Sequence, residues 1–343
     1  MMYCTNGSVE TFDNQREVFD LHCDTIDLLG MRDWEPYIGY GCQVGDEGFV
    51  DLCSNKAAIS LERMQDFAWT QAFAIWIPDL YESKDALRFY MQARDWFYAQ
   101  ADKYSDCIEQ VRDARTIGDI HTKSKVAAIL TVENGSPVGL GSDIVREFAR
   151  DGVKMVTLTW NGKNPLGSGH DTSEGLSDYG KKIIKTLEDE RIVVDVSHLN
   201  DEGFKDLLGI AKRPFIASHS NSRVVCDVPR NLTDDQFRAI RDSGGLAGLN
   251  YYRSFITTRD IKATGEVTFD ELAAHVEHFL DLDGENTLAL GSDWDGSDVP
   301  AWLTPCDTIA ALRARFAERF GEVITQKMFC SNTRGFFVRN ETL

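Results

Sequence analysis

The 343-residue sequence lacks an internal repeat, a low-complexity tract, a Pro/Gly-rich linker and a run of five or six like charges. No apolar stretch approaches the ~18 residues of a membrane span, and the last residues hold no hydrophobic tail for a lipid anchor. Residues 1–16 are polar and acidic, where a secretory signal carries a basic start and an apolar stretch of about 7–15 residues. Basic residues are scarce: 36 Lys and Arg against 55 Asp and Glu leave a formal charge of −19. That charge repels phosphate backbones and anionic lipid, so neither nucleic acid nor a membrane is the expected partner. The eight cysteines contain no Cys-x-x-Cys pair, which removes a thiolate zinc site and a redox motif. They are expected to be reduced thiols, and the expected location is cytoplasmic.

What is present points to a large mixed fold. Hydrophobic residues make up 43% of the chain and charged residues 27%, enough to bury a substantial core. Short apolar segments recur at 18–24, 72–77, 126–133, 155–160, 192–198, 214–219, 245–250 and 288–293. Between them lie stretches of helical spacing at 83–103, 143–151, 179–190, 202–211, 234–242 and 269–282. Near-continuous apolar strands alternating with helices indicate a parallel sheet covered by helices. The count of eight favours a (β/α)8 TIM barrel over a doubly wound sheet, with residues 1–343 forming a single domain. Thr233 and Gln236 have capping-box spacing, and Gly244-Gly245 supplies a stop before the next strand. The Gly- and aromatic-rich segment 31–55 is expected to be a long loop able to cover a site.

Most of these strands finish in a residue able to bind a metal or move a proton. In a parallel barrel such ends converge on one face, where enzymes of this architecture build their sites. The first strand ends with His22 and Asp24, placed on one side by the two-residue period, with Cys23 facing the helices as a buried thiol. Glu133 ends the third strand, where an unpaired carboxylate after an apolar run would be expensive unless a cation compensates it. His198 and His219 end the fifth and sixth strands, and imidazole with carboxylate is the ligand mixture of catalytic zinc. Asp293 ends the eighth strand and is placed either to ligate metal or to shuttle a proton. Asp295 is expected to shape its turn, His275 and His278 to lie on an exposed helix face, and His121 to be superficial. His170 lies in a loop that could approach the mouth.

With these residues in view the chain resembles the membrane dipeptidase (renal dipeptidase) family of zinc peptidases. The resemblance rests on Asp20-Leu-His22-Cys-Asp24-Thr, Val132-Glu133-Asn-Gly, Asp195-Val-Ser-His198, Ser218-His219-Ser, Pro229-Arg230-Asn231 and Gly291-Ser-Asp293-Trp-Asp295-Gly. It implies two zinc ions per chain, one on His22 and Asp24 and the other on His198 and His219, with Glu133 bridging. It also implies Asp293 as the catalytic aspartate and Arg230 as the group holding the free carboxylate of a small dipeptide substrate, with tolerance of a D-residue at the C-terminal position. Mammalian members carry a substrate-contacting histidine after the fourth strand. Trp160 stands in that place here, and Asn161 or the zinc ions are the expected substitute. A homodimer is carried as an expectation. Barrel deaminases, lactonases and phosphotriesterases usually begin with His-x-His, where this chain has His22-x-Asp24, and bridge their metals with a strand-four lysine that has no counterpart in 155–160. A catalytically idle metal-binding barrel is the remaining alternative.

Overall fold

A computed structural model describes residues 16–34, 48 and 51–342. Most of the expected covering loop at 31–55 therefore lies outside the described residues. Eight strands follow in order: β1 (Glu17–Cys23), β2 (Ala68–Trp76), β3 (Ile108–Gln110), β4 (Val126–Glu133), β5 (Val153–Thr157), β6 (Val193–Asp195), β7 (Ala247–Leu249) and β8 (Leu288–Leu290). Every pairing between them is parallel, in the order β6-β5-β4-β2-β1-β8-β7. Segment 214–219 fills the gap between β6 and β7. Ile216 bridges Asp195 and Ala217 bridges Ala247, both in parallel, and four backbone bonds of 2.8–3.0 Å cross the two seams. The ring is thereby closed as a (β/α)8 barrel.

All eight apolar segments contribute to that ring. β3 is an additional three-residue strand beside the start of β4, too short to show a period in the sequence. All residues of β2 and β4 are buried, as expected of strands covered on both faces. Phe19, Leu21, Ala72, Ile129, Met155, Val193, Ile216 and Ala289 form one apolar cluster. The C-terminal helix Asn332–Thr342 adds Phe336 and Phe337 to it, and the Phe337 ring stacks on Phe19 at 5.6 Å.

The helices match their sequence windows closely, from Ser83–Lys103 to Phe269–Asp281. The capping box at Thr233 and Gln236 is formed, and Gly244 ends that helix in the left-handed region, φ 82°. Three expectations need correction. His275 is fully buried, accepting from the Ser222 amide at 3.1 Å and donating to the Ile256 carbonyl. It lies three residues after Leu272 and four before Phe279, on the buried stripe and not the exposed face. His278, expected beside it on that face, is half-buried and bonds Asp234 at 2.7 Å. His121 is also buried, 3.2 Å from the Thr70 hydroxyl.

The thiol expectation fails at one position as well. Cys107 is disulfide-bonded; the other described cysteines, Cys23, Cys53, Cys226, Cys306 and Cys330, are free. Its partner therefore lies outside the described residues. Such a pairing depends on spatial approach, which spacing in the sequence does not reveal. Among the described residues no helix is long and apolar enough to cross a membrane.

Two glycines permit closure at the thinnest part of the ring. A Cβ on Gly248 would stand 1.9 Å from the Ser218 carbonyl oxygen, and one on Gly291 would stand 2.0 Å from the same atom. Neither neighbour is a movable side chain, so Gly248→Ala is expected to destabilise the fold by about 3 kcal/mol, measured as a lowered midpoint in urea unfolding with an unchanged slope.

Candidate metal centre

The strand ends converge as parallel order dictates. His22 is the penultimate residue of β1, Asp24 follows that strand, and Glu133 is the last residue of β4. His198 and Asp293 each stand three residues beyond β6 and β8, and His219 ends segment 214–219. Strict alternation from Phe19 and Leu21 would aim His22 away from the interior. A register shift between Asp20 and Cys23 turns it to the mouth instead, the re-aiming that a bulge accomplishes.

Glu133 joins the cluster through both oxygens. Its Oε2 lies 3.3 Å from His22 Nε2, which is also 3.3 Å from Asp24 Oδ2 and 3.9 Å from Asp293 Oδ1. Its Oε1 lies 2.8 Å from His198 Nε2 and 3.8 Å from His219 Nε2. The two lobes abut, because the His22 and His219 rings stack at 3.8 Å. Ligand atoms of His22, Glu133 and His219 fall within 4.8 Å of one another, as do those of His22, Asp24 and Asp293. All six side chains are buried.

The electrostatics of this cluster call for cations. Burial raises the pKa of Glu133 and of Asp293, with Asp24 adding to both while His22 opposes. Burial works against a charged His22, yet Asp24 and Glu133 together hold its pKa well above the usual value. His198 and His219 are pushed well below theirs by burial, with Arg230 adding to the effect, which leaves them as neutral imidazoles, the ligand form. Two buried atoms facing no partner, Asp24 Oδ1 and His22 Nδ1, remain in the acidic lobe. Nitrogen and carboxylate donors without a thiolate suit zinc, and Cys23 is buried in the cluster on the other face. The residues therefore fit divalent metal.

Hydrogen bonds fix the two neutral imidazoles. Ser218 Oγ donates its single proton to Asp195 Oδ2 at 2.6 Å, so at 2.7 Å from His219 Nδ1 it must accept. That puts the His219 proton on Nδ1 and leaves the Nε2 lone pair facing Glu133. Asp195 further accepts from Thr157 Oγ1 and from the Ser197 and Ser218 amides. His198 Nδ1 is 2.8 Å from Asn161 Oδ1, which can only accept, giving the same tautomer. Asn161, expected to contact substrate, thus commits its oxygen to His198. Asn250 Nδ2 donates to Asp293 Oδ2 at 3.0 Å.

Backbone strain gathers at the same points. His198, Asp293, Asp295 and Asn134 all have φ between 64° and 73°, a conformation costing non-glycine residues of order 1–3 kcal/mol. Asp295 is held away from the cluster by the Thr25 hydroxyl and the Ala58 and Ile59 amides, so it ties loops together. Gly296 has no room for a side chain: a Cβ would stand 1.8 Å from Asp24 Oδ2 and 2.9 Å from Asp293 Oδ1.

Arg230 lies buried beside this centre. It donates to Ser220 Oγ at 2.6 Å and to the His219 carbonyl at 3.1 Å, and its Nε has no partner. Phe255 lies 5.4 Å under the guanidinium. Burial pushes its pKa down to about 10, although Asp293 and Glu133 pull the other way. Among the described residues no carboxylate lies within ion-pair distance of it. A buried cation so placed is a receptor for an anion. His170 does approach the mouth, its ring 5.7 Å from that of His198.

The sequence reading left Asp195, Ser218 and Asn250 without roles. Each nevertheless sits at a strand end, and Asp195 and Ser218 fall inside the two histidine motifs.

The family model described as membrane dipeptidase (peptidase family M19) matches residues 9–334. An uncharacterised protein of Klebsiella pneumoniae is 37% identical over 170 residues, 47% of this chain and 62% of that protein. The crystal structure of a metallo peptidase named dipeptidase AC superposes with a TM-score of 0.82 at 25% identity, covering 96% of this chain and all of that one. A metallo peptidase from Rhodobacter sphaeroides, solved with a phosphinate mimic of L-Ala-D-Ala, superposes at 0.81 with 24% identity over 94% and 99% of the two chains. The matches span between 46% and 62% of the lengths of the curated relatives.

Two outcomes follow from the centre. Ser218→Ala frees the His219 tautomer and is expected to weaken zinc binding about 10–100-fold, read by competition with a chromogenic chelator. Zinc competes with protons at His22 and Glu133, whose pKa values are both raised, so affinity is expected to fall as pH drops from 8 to 5. Dialysis followed by metal analysis at each pH measures it.

Proposed function

Because the chain belongs to the membrane dipeptidase family, we propose that its mouth hydrolyses the single amide bond of dipeptides with two zinc ions. His22 and Asp24 would hold one ion and His198 and His219 the other, with Glu133 available to both through its two oxygens. When bound, the metal pair supplies Lewis acidity to the scissile carbonyl and lowers the pKa of the attacking water to roughly 7. The observation that carries this reading is the buried, anion-free Arg230 beside the acid and imidazole cluster.

A dipeptide has one free carboxylate one residue from its amide, and the Arg230 fork receives that group. A longer peptide would have to place further residues where the cation is already walled in by His219, Ser220 and Phe255. Asp293 moves the proton. Asn250 fixes its Oδ2, leaving Oδ1 on the side of His22. Oδ1 takes the proton of the attacking water and returns it to the leaving nitrogen. Burial raises the pKa of Asp293, which suits a group that must both accept and donate near neutrality. Asn161 keeps His198 in place through its Oδ1, which leaves its side-chain NH2 to donate to the substrate.

The rival barrel chemistries find less support. Lys154 on β5 is ion-paired with Glu341 at 2.7 Å, so its amine is engaged by the C-terminal helix. We extend the proposal to a D-residue at the C-terminal position, with L-Ala-D-Ala and Gly-D-Ala as probes beside their L,L counterparts. The zinc-loaded protein is expected to hydrolyse dipeptides and to leave the C-terminally amidated forms nearly untouched; equal rates on both would remove Arg230 from its role. Asp293→Asn is expected to lower kcat about 10²–10⁴-fold. The wild-type rate should fall on the acid side, as protonation of Asp293 removes the base; a rate rising towards pH 5 would contradict the assignment.

A further inference from the structure

Three buried asparagines tie the carboxylate receptor to the proton carrier. Asn221 stands two residues beyond segment 214–219, Asn231 follows Arg230, and Asn250 follows β7. Backbone bonds join that segment to β7 as far as the Ser220 amide and the Gly248 carbonyl, 2.8 Å apart. Beyond that point the side chain of Asn221 continues the seam. Its Oδ1 accepts from the Asn250 amide and its Nδ2 donates to the Asn250 carbonyl, both at 2.9 Å. One planar side-chain amide carries both an acceptor and a donor, so it pairs with a backbone as a neighbouring strand does.

The His219 carbonyl accepts from two side chains at once. Arg230 Nη2 donates to it at 3.1 Å and Asn250 Nδ2 at 3.2 Å, and the same Asn250 Nδ2 reaches Asp293 Oδ2 at 3.0 Å. One carbonyl and one side-chain amide therefore connect the receptor to the proton carrier. The loop that carries Arg230 is fixed to the loop after β7 by the same set. The Asn221 amide donates to Asn231 Oδ1 at 3.3 Å, and Asn231 Nδ2 donates to the carbonyl of Phe255, the residue under the guanidinium, at 2.9 Å. His275 joins the two loops again, accepting from Ser222 and donating to Ile256.

That link fixes a length. Arg230 receives the carboxylate and Asp293 serves the leaving nitrogen, and in a dipeptide of α-amino acids a single carbon separates these two groups. A C-terminal β-amino acid puts two carbons between them. Arg230 and Asp293 cannot move apart to follow the longer substrate without breaking buried hydrogen bonds, and an unmade buried bond is costly. A misplacement of about 1 Å between reacting groups lowers the rate about 10²-fold.

We propose that Asn221 is a positioning residue that sets specificity: by holding Arg230 and Asp293 at a fixed separation it selects a C-terminal α-amino acid and rejects a β-amino acid. The proposal rests on the dipeptidase reading above. Its test is the ratio of kcat/KM for the faster of L-Ala-L-Ala and L-Ala-D-Ala to that for L-Ala-β-Ala, measured with zinc content in wild type, Asn221→Ala and Asn221→Asp. The wild-type ratio is expected to exceed about tenfold, the scale on which one methylene is discriminated. Asn221→Ala is expected to lower the ratio at least about threefold at unchanged zinc content, because the α-dipeptide loses a fit that the longer substrate never had. A loss shared equally by both substrates marks a merely structural role and overturns the proposal, as does a wild-type ratio near unity; either leaves dipeptide hydrolysis intact. If the alanine variant does not fold, an unchanged ratio in Asn221→Asp, which keeps the Oδ1 acceptor and removes the Nδ2 donor, overturns it equally. A wild type that cleaves no dipeptide overturns the underlying reading and this assignment with it.

Discussion

The structure is organised around Glu133, a buried carboxylate that faces two groups of ligands at once. One oxygen meets His22 near Asp24 and Asp293, and the other meets His198 and His219. Gathering carboxylates and imidazoles where water is excluded is unfavourable unless positive charge is gathered with them. The response of the ionisable groups states that demand: Glu133 and Asp293 rise, while His22 is held well above its usual value by its acidic neighbours. Divalent metal meets that demand, and Arg230 adds a further positive charge to the same mouth.

Closure of the barrel and orientation of the ligands are one problem solved by shared groups. The ring is thinnest at segment 214–219, where single bridges replace a strand. Asp195 stands there, binding Thr157 of β5, the Ser197 amide and both amide and hydroxyl of Ser218. The same carboxylate thus staples β5, β6 and the segment, and through Ser218 sets the proton on His219. Gly248 and Gly291 let the backbones close against Ser218. A fault in the seam is accordingly a fault in the ligand set, which couples fold stability to metal binding at this point.

Much of this was legible in the residues because it is periodic or terminal. Eight apolar segments and their intervening helices follow from hydrophobic pattern, and Glu133, His198 and His219 follow from their places at strand ends. What escaped is what depends on the third dimension. The bulge that aims His22 inward has no local signature. His275 lies on the buried stripe of its helix between Leu272 and Phe279, yet a histidine there gives no sign that Ser222 and Ile256 will satisfy it. The Cys107 disulfide has no local signature in the sequence. Nor does the sequence show that the oxygen of Asn161 meets His198.

The most direct test of the central claim is anomalous scattering at the zinc edge from crystals of zinc-loaded protein. Two peaks roughly 3.5–4 Å apart, one beside each Glu133 oxygen, are the predicted result. A single peak remote from Glu133, or none in protein that still hydrolyses dipeptides, would contradict the account.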